Sequence, residues 1–159
     1  MVEHLALNPT KQFITFDGNF GSDPNDYHRR HIASVSIDKP DMKFLSTGDG
    51  NEWKAMGLIT KDDLIYLGST SQKGPQVYVK NGTQPAQSLS ANLYPTKFPE
   101  KQLVTPKSVE FKSLDGLTVY GQLFDNGDGK SNKPAVVFVH GGPSRQMLLG
   151  WHYSDYYDN

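Results

Sequence analysis

The short apolar stretch Phe13-Ile14-Thr15-Phe16 resembles Leu64-Ile65-Tyr66-Leu67, and this repetition decides the predicted fold. Two further pairs of stretches repeat a pattern in the same order: Val35-Ser36-Ile37 with Val77-Tyr78-Val79, and Phe44-Leu45-Ser46 with Ser88-Leu89-Ser90. The offsets, about 50 residues for the first pair and about 43 for the others, are typical of propeller blades, with an insertion around 21–30. Because a propeller needs at least about four blades, two units predict only part of one. A small, self-contained β sandwich is the alternative.

Short strands separated by turns are predicted over the first hundred residues. The 15 glycines and 10 prolines punctuate the chain at short intervals. Apolar and polar residues alternate in Ile32-Ala33-Ser34-Val35-Ser36-Ile37, as in a strand with one buried face. The segments predicted as strands are 13–16, 32–37, 42–46, 55–59, 64–69, 76–80 and 87–91. Many short strands with regular turns indicate a mostly β fold.

A change of composition after residue 93 predicts a domain boundary. The segment Tyr94-Pro95-Thr96-Lys97-Phe98-Pro99-Glu100 is rich in proline and lacks periodicity, which is typical of a linker. Strands follow at 108–112 and 117–124, and Asp115-Gly116 between them is a hairpin signal. We therefore predict partial propeller blades over 1–93, a linker over 94–106 and the start of a second domain over 107–159.

One motif in the second domain points to chemistry. Residues 135–139, Ala-Val-Val-Phe-Val, predict a strand buried on both faces, as in an α/β sheet, and His140-Gly141-Gly142-Pro143 follows at once. Acyl transfer needs preorganised N–H donors for a developing oxyanion, and glycine lets the main chain approach a substrate closely. We predict Gly141 and Gly142 as backbone donors of an oxyanion hole, with His140 beside them. A tight turn without a catalytic role is the alternative.

The order of these features resembles the prolyl oligopeptidase family of serine peptidases, including its dipeptidyl-peptidase and acylaminoacyl-peptidase branches. The resemblance rests on the β repeats, the proline-rich segment, and the run Pro134-Ala135-Val136-Val137-Phe138-Val139-His140-Gly141-Gly142-Pro143. It extends over essentially the whole chain and is strongest over 107–157. It implies a mostly β chain, in which partial β-propeller blades precede the first strands of a truncated α/β-hydrolase domain.

The resemblance also implies an activity for the parent enzyme: hydrolysis of peptide bonds through an acyl-enzyme. The family carries its catalytic Ser in a Gly-x-Ser-x-Gly elbow, with Asp and His further on, and this chain has no such elbow. We therefore expect the 159-residue chain to be an inactive internal fragment whose nucleophile, acid and base lie outside it. Some branches use a Tyr hydroxyl where this sequence has His140. A β-rich binding module and an esterase fragment are the alternatives.

Composition limits the classes of partner. The 16 basic and 17 acidic residues nearly balance, so charge gives no case for nucleic acid, and no stretch is long enough to span a bilayer. There is no Cys, and the histidines lack ligand spacing, so we predict no metal site. No cofactor is implied, and the partner expected for the parent enzyme is a peptide substrate. The sequence does not determine the oligomeric state. For the localisation of the parent protein, export to the periplasm is one possibility and the cytoplasm is the alternative.

Three further groups of polar or aromatic residues are predicted to have structural rather than catalytic roles. The basic cluster Tyr27-His28-Arg29-Arg30-His31 is predicted to lie on a solvated hairpin, with contact to substrate or to the partner domain as the alternative. Ser144 lies outside any elbow, so we do not predict it as a nucleophile. Arg145 is expected to pair with a neighbouring acid, with a substrate carboxylate as the alternative. Aromatic packing under the propeller is the role expected for the side chains near the end of the sequence, with lining of a cavity near the active site as the alternative: Trp151, Tyr153, Tyr156 and Tyr157.

Overall fold

The structure is a computed structural model that describes residues 1–60, 62–130, 132–142 and 146–151. Within these residues the chain forms two four-stranded antiparallel sheets and one two-stranded hairpin, and none of them closes into a barrel. Two short 3-10 helices, Ala91–Leu93 and Glu100–Gln102, occur, and this part of the chain has no α-helix. The predicted mostly β character is therefore confirmed. No helix among the described residues is long and apolar enough to cross a membrane.

Each four-stranded sheet is a meander, because strands that follow one another in sequence also pair in space. The first sheet contains β1 (Val2–Leu7), β2 (Phe13–Gly18), β3 (His31–Ser36) and β4 (Met42–Phe44). The second contains β5 (Asn51–Gly57), β6 (Leu64–Ser69), β7 (Gln76–Lys80) and β8 (Gln87–Ser88). The hairpin consists of β9 (Lys107–Lys112) and β10 (Thr118–Leu123).

The two sheets are copies of one unit, because their cross-strand pairs correspond. In the first sheet the pairs that mark the register are Leu7–Ile14, Asp17–Ile32 and Ala33–Phe44. In the second sheet the corresponding pairs are Gly57–Leu64, Leu67–Val77 and Tyr78–Ser88. Equivalent residues are 50 apart in the first two strands of the unit, 45 apart in the third and 44 apart in the fourth. The offset decreases because the β2–β3 loop is longer than the β6–β7 loop. This difference agrees with the insertion that the sequence predicted around 21–30.

The same side-chain hydrogen bond recurs in both units. The Ser46 hydroxyl accepts from the backbone N–H of Ile32 at 2.8 Å, and the Ser90 hydroxyl accepts from that of Val77 at 3.0 Å. Both serines lie two residues after the last residue of the fourth strand of their unit, and each accepts a hydrogen bond from the third strand. The alignment of Val35 with Val77 in the sequence is wrong by three residues, since the structural equivalent of Val77 is Ile32.

The second unit packs face to face on the first through its leading strand, β5, which contacts β1, β2 and β3. The apolar core between the sheets contains Ile32, Leu45, Ala55, Leu64 and Tyr66. Gly57 sits so close to the first sheet that a Cβ there would lie 2.7 Å from the Phe13 ring. The Thr15 hydroxyl also donates to the Ala55 carbonyl at 3.1 Å, which ties the two sheets together directly.

The sequence predicted β6 and β7 with their observed bounds but did not predict β1, and it placed the start of β5 four residues late. Both missed segments contain a bulge at the equivalent position, where His4 has φ 47° and Lys54 has φ 52°. A bulge adds one residue to one strand and so shifts the alternation of inward and outward side chains. The alternating pattern that marks a strand in sequence is therefore interrupted in β1 and β5.

The prediction of a buried strand at 135–139 is wrong. These residues belong to no strand, and the exposed fractions of their side chains include 96% for Val136 and 66% for Phe138. An apolar run becomes a buried strand only where neighbours pair with it and cover both faces. The described strands pair within their own sheets, and none of them pairs with this segment. Among the described residues after the predicted linker, the strands are therefore β9 and β10.

The turn predicted at Asp115-Gly116 is confirmed as the β9–β10 hairpin. Gly116 has φ +85°, which favours glycine, and the Ser113 N–H donates to the Leu117 carbonyl at 2.9 Å. The predicted linker, 94–106, lies against the second unit, where the Gly74 N–H donates to the Tyr94 hydroxyl at 2.9 Å. Its Phe98 ring packs on Trp151 with centroids 6.1 Å apart, in agreement with the packing role expected for that tryptophan.

Replacing Leu45 by Ala tests whether the two units are held by the core between them. Leu45 is 4% exposed in that core, so we expect Leu45→Ala to lower the free energy of unfolding by about 2–5 kcal/mol. The matched control is Leu114→Ala in the exposed hairpin turn, with an expected change within about 0.5 kcal/mol. Urea denaturation measures both. Equal effects of the two substitutions would contradict this packing.

Candidate functional site

The predicted oxyanion loop is exposed to solvent. His140, Gly141 and Gly142 are all exposed, and Gly142 has φ +78°, a conformation that favours glycine. A Cβ added to Gly141 would meet no atom within 4 Å. The His140 Nδ1 lies 3.2 Å from the Gly141 carbonyl oxygen, so the imidazole can donate to the loop's own backbone. The predicted Ser144 and Arg145, with Pro143, lie outside the described residues, as do Tyr153, Tyr156 and Tyr157.

A charged cluster that the sequence did not predict lies where the two units meet. His31, at the start of β3, is 1% exposed, and its two ring nitrogens each face a carboxylate. Nδ1 lies 2.7 Å from Glu52 Oε2 on β5, and Nε2 lies 2.9 Å from Asp26 Oδ2 in the β2–β3 loop. The imidazole therefore bridges a loop of the first unit and a strand of the second.

This geometry favours the imidazolium form of His31. A neutral imidazole has one N–H, whereas two ring nitrogens facing two carboxylates both act as donors only when the ring is protonated. Burial by itself would lower the pKa of His31, but the hydrogen bonds and charges of Glu52 and Asp26 outweigh it, and the pKa is raised. Burial by itself would raise the pKa of Asp26. The hydrogen bonds and charges of His31 and Arg29 outweigh burial, so the pKa of Asp26 is lowered.

Neighbouring groups hold both carboxylates in place. The Ser46 hydroxyl donates to Glu52 Oε2 at 3.0 Å, so the serine that completes β3 also orients Glu52. Arg29 Nη1 donates to Asp26 Oδ1 at 3.1 Å, and Arg29 Nε donates to the Asp49 carbonyl at 3.1 Å. The cluster thus connects the β2–β3 loop with the segment that joins the two units.

An open pocket of about 370 Å³ lies beside this cluster. Polar and charged side chains dominate its lining, among them Asp23, Asp26, Arg29, His31 and Ser108. In it the Ser108 hydroxyl lies 3.0 Å from His28 Nε2, a pairing that nucleophilic catalysis uses when a third group orients the base. Within the described residues no carboxylate is seen to orient His28, whose ring packs on Tyr27 and Tyr120. We therefore interpret this pair as a contact between the first unit and the hairpin.

The basic cluster Tyr27–His31, predicted to lie on a solvated hairpin, is only partly exposed to solvent. The prediction of a solvated hairpin is wrong for Arg30 and His31, which are each 1% exposed. Their burial follows from the packing of β5, because the Glu52 N–H donates to the Arg30 carbonyl at 2.9 Å. Tyr27 instead remains exposed, and its hydroxyl donates to Glu110 on β9 at 3.1 Å. Tyr27 and His28 instead contact β9, which lies in the predicted second domain, so the alternative considered from the sequence, contact with the partner domain, describes these two residues better.

A second polar cluster, Glu3, His4 and Asp17, could hold a cation. Its three ligand atoms lie within 4.8 Å of one another, with His4 Nδ1 3.1 Å from Asp17 Oδ2. Burial raises the pKa of Asp17, although hydrogen bonds from His4 and the Lys54 N–H oppose the shift. Arg30 Nη1 lies 2.9 Å from Glu3 Oε2, so a guanidinium already supplies positive charge here. We interpret the cluster as an ion-pair network between β1, β2 and Arg30.

The chain matches no model of a known protein family, and no curated protein is significantly similar to it. The resemblance noted in the sequence therefore remains a hypothesis that depends on the chain's own residues.

The pH dependence of stability tests the charge on His31. A pKa that is raised on folding adds stability that is complete below the unfolded pKa of about 6.5 and is lost as the pH rises through the folded pKa. We therefore expect the free energy of unfolding to decrease above about pH 6.5, by at most about 1.4 kcal/mol per pH unit for one proton. Urea denaturation at a series of pH values from weakly acidic to alkaline measures this slope.

The matched variants for this test are His31→Gln and His140→Gln. His31→Gln should remove the decrease, because glutamine does not titrate, whereas His140→Gln should retain it, because His140 is exposed and far from both carboxylates in sequence. The weakly acidic limit avoids the titration of Asp26, whose lowered pKa adds stability that is lost only in stronger acid. A wild-type profile parallel to that of His31→Gln would contradict a protonated His31.

Proposed function

We propose that these 159 residues are part of a serine-type oligopeptidase, similar to the prolyl oligopeptidases, that hydrolyses peptide bonds through an acyl-enzyme. The observation that carries this proposal is the order of features along the chain: two copies of a four-stranded unit, a proline-rich segment, a β hairpin, and then His140-Gly141-Gly142-Pro143. In the complete enzyme the repeated units are blades of a propeller that caps an α/β-hydrolase domain.

The arrangement of the two units supports the propeller part of the proposal. A propeller is built from four-stranded antiparallel sheets that repeat around an axis, and each sheet packs on the next. Here each unit is a four-stranded meander, and the leading strand of the second packs on the face of the first. Two units would be two of the at least about four blades that a propeller needs.

The loop at 140–142 supports the catalytic part. When a serine hydroxyl attacks the scissile carbonyl, that carbonyl oxygen becomes an oxyanion, and backbone N–H groups directed at it lower the barrier. The backbone of Gly141 and Gly142 is exposed, and because glycine has no side chain, neither residue obstructs the approach of a substrate to its N–H group. The sequence has no Gly-x-Ser-x-Gly elbow, so serine, base and acid come from residues outside these 159. His140 acts through the backbone of Gly141, as a positioning residue.

Removing the Gly141 N–H in the complete enzyme tests this role. Gly141→Pro deletes the N–H, and we expect kcat for a peptide substrate to fall by about 10²–10³, with KM little changed, because the bond forms to the oxyanion. The matched control is Gly141→Ala, which keeps the N–H and has open space for its methyl group, so it should retain most of the activity. Equal kcat values for the two variants would contradict the proposal, as would an enzyme that cleaves esters but no peptide.

The 159-residue chain alone should hydrolyse neither peptides nor esters, because it carries the oxyanion loop without the elbow serine. Incubation with a fluorophosphonate, which labels activated serines, should leave its mass unchanged. Mass spectrometry of the intact chain measures this, and a chain unfolded in urea serves as the control for non-specific reaction. A serine labelled in the folded chain and not in the unfolded one would overturn this assignment.

A further inference from the structure

The β2–β3 loop is a part of the first unit that contacts the β9–β10 hairpin. The Tyr27 hydroxyl donates to Glu110 on β9 at 3.1 Å, and the Tyr27 ring packs edge to face on Tyr120 of β10, with centroids 6.4 Å apart. The His28 ring packs on the same tyrosine, and its Nε2 lies 3.0 Å from the Ser108 hydroxyl of β9. Two consecutive residues of the loop thus contact both strands of the hairpin.

The main chain of the same two residues contacts the segment 146–151. The Gln146 amide donates to the Tyr27 carbonyl at 2.9 Å, and the Leu149 N–H donates to the His28 carbonyl at 2.8 Å. Both side chains and both carbonyls of this pair therefore bind parts of the chain that follow the linker. The strength of these contacts depends on how firmly the loop itself is held.

Asp26, which precedes Tyr27, ties the loop to the buried charged cluster. Its Oδ2 faces His31 Nε2 at 2.9 Å, and its Oδ1 accepts from Arg29 at 3.1 Å. His31 is 1% exposed, and its Nδ1 faces Glu52 on β5 at 2.7 Å. The imidazole ring is thus fixed between the two units, and the loop is anchored to it through one carboxylate.

We propose that His31 is a pH-sensitive switch for the contact between the β2–β3 loop and the hairpin. While the ring carries both protons, Asp26 stays bound to it and the loop holds the hairpin. When the ring loses one proton, Asp26 leaves it and the loop releases the hairpin. The inference rests on contacts among the described residues and is independent of the proposed peptidase activity.

Loss of one proton breaks the contact of His31 with Asp26 rather than that with Glu52. A neutral imidazole keeps one N–H, so its other nitrogen directs a lone pair at a carboxylate. The Glu52 contact is the shorter of the two, and the Ser46 hydroxyl also holds Glu52 at 3.0 Å. Asp26 lines the open pocket, where water can solvate its carboxylate once it leaves the ring.

The charged groups around His31 favour this behaviour. Against its burial, the hydrogen bonds and charges of Glu52 and Asp26 raise the pKa of His31, so the second proton is lost above the ordinary value of about 6.5. Against burial, His31 and Arg29 lower the pKa of Asp26, so this carboxylate stays ionised in that range. The other titratable or charged side chains near the ring or its carboxylates are Asp23, His28 and Asp49 in the pocket, Tyr66 beside Glu52, and Arg30, which pairs with Glu3.

The second unit lacks both parts of this switch. Its β6–β7 loop, 70–75, is shorter than the β2–β3 loop, and the residue equivalent to His31 is Gln76, which does not titrate. Gln76 is also buried, at 5% exposed, and its Oε1 accepts from the Ser88 hydroxyl at 2.7 Å within its own sheet. Of the two equivalent positions, the titratable residue thus stands in the unit whose loop contacts the hairpin.

NMR of the full 159-residue chain, from about pH 6 to about pH 9, measures both parts of the switch. The ring nitrogen chemical shifts of His31 report its protonation, and the NOE between the rings of Tyr27 and Tyr120 reports the contact. We expect this NOE to be lost as His31 titrates. Tyr27 itself stays protonated, because its hydrogen bond to Glu110 raises the pKa of the hydroxyl. An unchanged NOE, or a His31 that keeps one protonation state, overturns the proposal.

Asp26→Asn separates a switch from a merely structural role. Asparagine can accept from Arg29 and donate its amide N–H to the neutral His31 Nε2, while Nδ1 still donates to Glu52, so every group has a partner without the second proton. We expect the NOE of this variant to persist at the alkaline end, where that of wild type is lost. Asp23→Asn in the same loop is the matched control and should behave as wild type. A loss of the NOE in Asp26→Asn at the same pH as in wild type would contradict the proposal.

The coupling should also be measurable from the hairpin, because linkage between two equilibria is reciprocal. Tyr120→Ala removes the ring that Tyr27 and His28 contact, so we expect the midpoint of the His31 titration to move to lower pH, with proton binding at least about fivefold weaker. Leu114→Ala in the hairpin turn is the matched control and should leave the midpoint unchanged. Both replaced side chains are more than half exposed, so this comparison decides the proposal if Asp26→Asn alters the fold. Equal midpoints in the two variants would overturn it.

Discussion

The packing of β5 on the first sheet is the interaction on which the rest of the structure depends. It brings Ala55 into contact with Ile32 and Leu45 in one apolar core, and β6, β7 and β8 are attached through β5 to the first unit. The same strand begins with Asn51, whose side chain accepts from the Arg30 N–H at 3.0 Å and donates to the Leu149 carbonyl at 3.0 Å. One strand thus joins both units and holds the segment that precedes the end of the described chain.

The buried charges follow from that packing. Arg30 and His31 belong to a basic run that would be solvated on an isolated hairpin, and β5 encloses them by placing Glu52 against His31. Burying an unpaired charge is costly, so the imidazole is buried together with two carboxylates, one from each side of the contact. The charged cluster is therefore a consequence of the repeat, in which the second unit covers the loop that begins the third strand of the first.

The sequence predicts those parts of the fold that local patterns determine. β7 alternates in Val77-Tyr78-Val79, β6 begins with the apolar run Leu64-Ile65-Tyr66-Leu67, and the turn at Gly116 needs the φ that glycine allows, so all three are found where the local pattern places them. β1 is missed because its bulge interrupts the alternation. The contact of His31 with Glu52, 21 residues later, leaves no local pattern, and the apolar run at 135–139 cannot show by itself whether anything covers it. The role of Gly141 and Gly142 as backbone donors stays a prediction, since that role requires a nucleophile and the sequence contains no Gly-x-Ser-x-Gly elbow.

The central claim is that the 140–142 loop serves a serine nucleophile that lies elsewhere in a longer enzyme. The most direct measurement is fluorophosphonate labelling of the full-length protein, followed by mass spectrometry of its peptides to locate the modified residue. We expect a single labelled serine in a Gly-x-Ser-x-Gly sequence, within about 150 residues after Asn159, the size of one domain. Labelling at a serine within the first 159 residues, or no labelling of the full-length protein, would contradict it.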